Sequence, residues 1–175
     1  MELDTKRLIL RELTEADFPR LYEILSDPEG MRYYPAPYDE AGVRRWITWN
    51  RENYAAFGFG LYAVVLKETG EMIGDCGVTM QRINGWIKPE IGYHIHKSCW
   101  RQGYASEAAS AWRDYIFTHT PFNMLYSYMN SANVPSAGVA VKNGMRLIEE
   151  YTDTDGQRTK VYAVTRSEWQ QVRHV

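Results

Sequence analysis

His96-Lys97-Ser98-Cys99-Trp100-Arg101-Gln102-Gly103-Tyr104-Ala105-Ser106-Glu107-Ala108-Ala109 is the stretch on which the reading of this chain turns. An extended segment ends at His96, a short loop carries one glycine, and a run of small residues opens a helix. The first N–H groups of a helix have no intrahelical acceptor, so such a junction can hold an anion such as phosphate. Gly103 lets the backbone approach closely, Ala105 keeps side-chain bulk away, and Lys97 and Arg101 add positive charge nearby. The spacing alone equally fits a plain strand-to-helix connection with a solvated charge pair. The neighbouring segments have to decide.

Upstream, Arg7 to Leu13 reads as a first strand, and Thr14 with Asp17 makes an approximate capping box. The helix it opens places Phe18, Leu21, Tyr22 and Leu25 at helical spacing, and Asp27-Pro28-Glu29-Gly30 stops it. An aromatic, proline-punctuated loop at Tyr33–Tyr38 precedes a helix from about Asp39 to Ala56. Phe59–Leu66 and Met72–Gln81 read as paired strands across Glu68–Glu71, and Trp86–His96 as a third strand of this central group. Downstream, Ala105, Ala108, Ala109, Trp112 and Ile116 stripe a helix from about Tyr104 to Thr118. Met124–Met129 reads as a short buried strand, and Met145–Tyr151 with Thr159–Thr165 as a hairpin about Asp155-Gly156. Asn133–Gly144 stays open: Lys142-Asn143-Gly144 can turn a hairpin, or Asn143-Gly144 can cap a short helix. The order is that of a mixed α+β domain, treated as one unit over residues 1–175.

Bulk properties narrow the function. A chain of 175 residues buries roughly 70% of its unfolded surface and needs no disulfide or metal staple. Twenty Lys and Arg against 22 Asp and Glu give a net charge of −2, which argues against a general nucleic-acid binder. No apolar stretch is long enough to span a bilayer, the N-terminus lacks a signal peptide's apolar core, and Cys76 and Cys99 make no disulfide framework. The expectation is a cytoplasmic domain without membrane or nucleic-acid partners. Cys76 reads as a small buried apolar residue.

The strand before the loop carries a second layer of chemistry. Alternation puts Glu90, Gly92, His94 and His96 on one face. Glu90 can draw a proton from an amine, and His94 can do so near neutral pH. The plain alternatives are a carboxylate paired with Lys88 or Arg82 and histidines on a half-exposed face. A metal read on His94, His96 and Cys99 lacks a fourth ligand, so no metal is expected.

Trp100-Arg101-Gln102-Gly103-Tyr104-Ala105-Ser106-Glu107-Ala108 resembles the pyrophosphate loop of the GNAT superfamily of acyl-CoA N-acyltransferases. The nearest branch is that of the ribosomal-protein N-terminal acetyltransferases, which Arg7-Leu8-Ile9-Leu10-Arg11, Asp17, Ile73-Gly74, Glu90-Ile91-Gly92-Tyr93, Asn133-Val134-Pro135-Ser136 and Lys142-Asn143-Gly144-Met145 also resemble. The likeness runs in family order over about residues 5–165. It implies a mostly antiparallel central sheet flanked by helices, with a helix from Asn133 to Asn143. The fourth and fifth strands, carrying Tyr93-His94-Ile95 and Tyr126-Ser127-Tyr128, would splay apart to receive the pantetheine arm.

The resemblance implies acetyl-CoA contacts from Tyr93, His94 and Ile95, from Arg101, Gln102, Gly103, Tyr104, Ala105 and Ser106, and from Asn133. With Glu90 and His94 read from their strand face, the expected catalytic set is Glu90, His94 and Ser136. The aromatic region before and within the second helix walls the acceptor pocket in the family, and Tyr33, Tyr34 and Trp86 are the expected acceptor contacts. Two departures stand out. Trp100 replaces the Gln or Arg that usually opens the loop, and Ala140 occupies the position of a tyrosine that protonates the departing thiolate in many members. Ser136, Tyr128, another tyrosine or water would then supply that proton. The implied activity is acetyl transfer from acetyl-CoA to a primary amine, first a protein or peptide α-amine. The alternatives are a small-molecule amine (antibiotic, amino acid or polyamine) or a silent acyl-CoA sensor. A homodimer is compatible with all of them.

Overall fold

The order of elements along the chain places the helices on two opposite faces of one sheet. The computed structural model describes residues 1–173; the last two residues of the chain lie outside it. Eight strands run β1 (Glu2–Asp4), β2 (Leu8–Glu12), β3 (Leu61–Leu66), β4 (Met72–Ile83), β5 (Trp86–Ile95), β6 (Met124–Asn130), β7 (Arg146–Thr152) and β8 (Arg158–Thr165). Five helices are α1 (Phe18–Leu25), α2 (Glu40–Phe57), α3 (Tyr104–His119), α4 (Val134–Lys142) and α5 (Arg166–Arg173). The strands lie side by side as β1-β2-β3-β4-β5-β6-β8-β7, all antiparallel except β5 beside β6.

Leu8, Leu10, Tyr62, Val64, Ile73, Val78 and Ile91 pack against Ala108, Ala109, Trp112 and Ile116 of α3 on one face. On the other, Ala63, Val65 and Met72 pack against Leu21, Ile24 and Leu25 of α1 and Val43 and Ile47 of α2. With both faces covered, β3 reads Leu-Tyr-Ala-Val-Val-Leu with no polar residue, as a strand buried on both sides should. The expected capping box forms on a 3-10 turn, Glu15–Asp17, that leads directly into α1. Thr14 N–H donates to Asp17 Oδ2 at 2.8 Å, and Arg11 grips the same carboxylate through both terminal nitrogens at 2.7 and 2.8 Å.

The open stretch resolves as helix. Asn133 Oδ1 accepts from Ser136 N–H at 3.2 Å as the cap of α4, Pro135 fits its first turn, and Gly144 ends it at φ +80°. The Asp155-Gly156 hairpin forms as read, with Asp153 Oδ1 accepting from the backbone of Asp155 and Gln157. Two elements had no reading in the sequence: the edge strand β1 and helix α5. The extra strand at the start makes the expected fourth and fifth strands β5 and β6. These two register at a single pair, Glu90 with Tyr126, so the ladder between them closes at one point only.

Candidate active site

The loop from Ile95 into α3 presents a row of free amides. Cys99 and Trp100 N–H bond back to His96 and Lys97, and Glu107 N–H to Gly103 O. Between them, the backbone N–H groups of residues 101–106 have no acceptor among the described residues. Gly103 caps α3 at φ +83° and Arg101 stands at φ +61°, both left-handed, which turns successive amides toward one side. The loop is anchored from behind. Glu107 accepts from Thr5 Oγ1, Arg7 N and Arg7 Nε, each at 2.7 Å, and Arg7 Nη1 donates to Gln102 O at 2.9 Å. Burial would raise the Glu107 carboxyl, but the bonds from Thr5 and Arg7 outweigh it and hold it low. Arg7, in the expected opening motif, therefore braces the loop and stacks 4.3 Å over the Tyr104 ring.

Unpaired backbone also appears where β5 and β6 part. His96 N–H donates to Ile73 O at 2.7 Å, and the alternation of an antiparallel ladder then makes His94 with Asp75 and Gly92 with Gly77 the next bonded pairs. Main-chain groups of Tyr93 and Ile95 consequently turn away from β4, toward β6. Trp100 Nε1 caps the Ile95 carbonyl at 2.6 Å, so the tryptophan that departs from the family pattern has a defined bond. Tyr93 N–H and C=O and Ile95 N–H remain for a ligand. The expected main-chain contact from His94 does not fit this geometry, because its backbone belongs to the ladder with β4. Tyr93 Oη donates to Ser136 O at 2.9 Å and lies 3.1 Å from Ser136 Oγ, tying α4 across the splay. Asn133 caps α4 through its oxygen, which leaves its amide nitrogen available.

The other side of the splay opens into a cleft of about 270 Å³. Tyr33, Tyr34, Glu90, Tyr93, His94, Tyr128, Asn133 and Ser136 all line it, so residues far apart in sequence converge. A second hollow between Glu12–Glu15 and Arg51–Ala55 gathers none of them.

Glu90 is 9% exposed, and its carboxylate has no hydrogen-bond or ion-pair partner among the described residues. Burial alone pushes its pKa up to about 8. Neither Lys88 nor Arg82 pairs with it; Lys88 sits over the Tyr126 ring and Arg82 reaches Gly85 O. Gly92, next on that face, leaves room: a Cβ there would meet Glu90 Oε2 at 3.0 Å. Tyr128, across the cleft, is pushed up to about 12 by burial and then by the Glu90 charge.

His94 is held at both ring nitrogens, Nδ1 at 2.7 Å from Asp75 Oδ1 and Nε2 at 2.9 Å from Tyr34 Oη. Asp75 was missed in the sequence reading as a part of this site. Asp75 was the available signal, a lone acid inside an apolar strand.

Trp86 does not join the cleft; it stands 73% exposed beside the β4–β5 turn. Ala140, the position of the family's tyrosine, is 1% exposed and packed in the core. His96 turns to Ser98 Oγ at 2.7 Å, and among the described residues no group of three or more His, Cys, Asp or Glu could hold a metal ion. Nor is any helix of the described residues long and apolar enough to cross a membrane.

The model of the acetyltransferase (GNAT) domain matches residues 7–146. The protein YkkB of Bacillus subtilis (strain 168) is 37% identical over 145 residues, 82% of this chain and 84% of its own length. The crystal structure of an acetyltransferase from Agrobacterium tumefaciens (strain C58) superposes with a TM-score of 0.82 at 32% identity, covering 94% of each chain. The ribosomal L7/L12 α-N-protein acetyltransferase RimL, solved with coenzyme A, superposes at 0.79 over 94% of this chain and 98% of its own. At 19% identity that last likeness shows the fold alone.

Proposed function

This chain belongs to the GNAT family of acetyltransferases and takes its acetyl group from acetyl-CoA, and from that premise we propose that its acceptor is a protein or peptide α-amine. The observation that carries this reading is Glu90: a carboxyl with a pKa of about 8, unpaired, in the cleft beside the splay. An α-ammonium has a pKa near 8, so handing its proton to Glu90 is close to balanced. A lysine ammonium near 10.4 would give up its proton to the same carboxyl uphill by about 3 kcal/mol.

In this reading the free amides of residues 101–106 hold the pyrophosphate, and Tyr93 and Ile95 N–H bind the pantetheine arm and steady the thioester oxygen. Asn133 acts near the reacting end. Ser136, at the start of α4, hands a proton to the leaving thiolate. A thiol with a pKa near 8.5 is a tolerable leaving group, so Ser136→Ala is expected to lower kcat several-fold rather than abolish it. Tyr128→Phe should do less, and Asn133→Ala should mainly raise the KM for acetyl-CoA. Steady-state kinetics on the three variants checks this; an unchanged kcat in Ser136→Ala removes Ser136 from the mechanism.

One observation favours a second acceptor class. Asp153 and Asp155 line the same cleft as Glu90, and no Lys or Arg does among the described lining residues. Such a cleft also suits a small polyamine or aminoglycoside. Acetyl-CoA offered with a peptide library, free amino acids, polyamines and aminoglycosides, compared by kcat/KM, decides between the two. Peptides with free α-amines are expected to lead. A hundredfold preference for a polyamine or aminoglycoside would overturn the acceptor reading while leaving the fold and the acetyl donor in place.

A further inference from the structure

Asp75 has no exposure at all, and a buried carboxylate is costly unless hydrogen bonds compensate it. Both its oxygens are used. Oδ2 accepts from Trp46 Nε1 at 2.8 Å, and Oδ1 accepts from His94 Nδ1 at 2.7 Å. With its proton on Nδ1, His94 offers a lone pair at Nε2, and the Tyr34 hydroxyl, 2.9 Å away, donates to it; the tautomer follows from the bond network. The Tyr34 and Trp46 rings flank the imidazole, with centroids 5.4 and 5.6 Å from it. Side chains from β4, β5, α2 and the loop before α2 thus form one directed chain ending in the cleft.

We propose that Tyr34, His94 and Asp75 form a proton relay that takes the second proton from the acceptor nitrogen, with Asp75 and Trp46 as positioning residues that fix the His94 tautomer. The proposal rests on the acceptor cleft described above. A primary ammonium must lose two protons to become an amide. The first passes to the Glu90 carboxylate, leaving a neutral amine. Its lone pair forms the C–N bond while the carbonyl π pair moves to oxygen. The nitrogen, now cationic, gives its second proton to Tyr34 Oη as Tyr34's own proton passes to His94 Nε2. The carbonyl then re-forms and the C–S pair leaves on sulfur. The thiolate takes up one of the two protons, through Ser136 or water, and the other goes to solvent. Tyr34 as a whole is 41% exposed, but its hydroxyl end sits against His94. The lost hydration there, then the Glu90 and Asp75 charges, raise the phenol, so a free phenolate is disfavoured and the two transfers at its oxygen are coupled. Asp75 plays the orienting part that the acid of a hydrolytic triad plays toward its histidine.

The test uses two probes, a hexapeptide with a free N-terminal alanine and spermidine, since any primary ammonium has two protons to lose. Tyr34→Phe and His94→Ala are expected to lower kcat on the order of 10²-fold with the Kd for coenzyme A unchanged. Added imidazole should restore part of the His94→Ala turnover. In mixtures of H2O and D2O, kcat should vary along a curve for the wild type and a straight line for Tyr34→Phe. Asp75→Asn should lose as much turnover as His94→Ala. Should that variant fail to fold, Trp46→Phe, with a smaller loss of up to about tenfold, carries the positioning claim. A His94→Ala enzyme within threefold of wild type, or a loss that imidazole does not restore, overturns the relay. Glu90→Gln is read separately: its silence beside active relay effects would sink the Glu90 reading alone, and the reverse pattern would sink the relay alone.

Discussion

Replacing Gly103 by valine should reduce affinity for coenzyme A by at least a hundredfold while the protein stays folded. Gly103 holds φ +83°, where a β-branched residue is strained by about 1–2 kcal/mol or more. The site has room behind it, since the nearest atom to an added Cβ is Arg7 Nη2 at 3.5 Å. The cost therefore falls on the loop's own conformation rather than on the core. Relaxing Gly103 toward negative φ turns the amides of residues 101–106 out of their common direction, and the pyrophosphate loses several donors together. Titration calorimetry with coenzyme A, paired with a thermal melt on the same preparation, reads both halves. An unchanged affinity would place the pyrophosphate elsewhere.

Glu90→Gln should lower kcat/KM by about 10² to 10⁴-fold, the usual contribution of a positioned general base. The pH dependence carries the sign. With its pKa at about 8, Glu90 is mostly protonated at pH 7 and unable to accept a proton, so wild-type kcat/KM should rise through pH 7 and level off above 8. The variant should lack that limb. Stability should move the opposite way. A carboxyl raised on folding binds more protons in the native state than in the unfolded one. The wild type therefore loses stability as pH rises from the ordinary carboxylate range toward 8. Glu90→Gln is exempt from that loss, so at pH 8 it should be more stable than wild type by on the order of a few kcal/mol and melt higher. Lower activity with higher stability is the expected signature of a group held for chemistry. Melts and rate profiles over pH 5.5–9 check both.

Much of this architecture was readable from local pattern. The alternation of β5, the α3 stripe and the Asp155-Gly156 turn each carry their own signal and appear where read. The Asn133–Gly144 stretch was undecidable locally because the same Asn143-Gly144 pair serves a hairpin or a helix cap, and tertiary packing of Ala140 selects the helix. Strand β1 is three residues long and gains its order from pairing with β2, so it has almost no local signal. Helix α5 is mostly polar, and the sequence gives little hint that Trp169 packs on Phe117.

The site was legible in parts. The face shared by Glu90, Gly92 and His94 follows from strand periodicity, whereas the loop at Gly103 is undecided by its glycine and small residues alone and rests on the family resemblance. Partners reached through the fold were not: Asp75 meets His94 only because β4 and β5 pair in that register, and Trp46 arrives from a helix about thirty residues earlier. Trp86, grouped with the acceptor aromatics, lies at the far end of β5 from the splay, a position that composition cannot reveal.

If a buried carboxyl matched to an α-amine selects the nitrogen that is acetylated, the choice between two amines of one peptide reveals it. A single peptide with a free N-terminal alanine and one internal lysine presents both amines at equal concentration. Incubated with the protein and acetyl-CoA at pH 7.4 and fragmented in a mass spectrometer, it should carry its acetyl group on the α-nitrogen. Acetylation on the lysine ε-nitrogen would contradict the account.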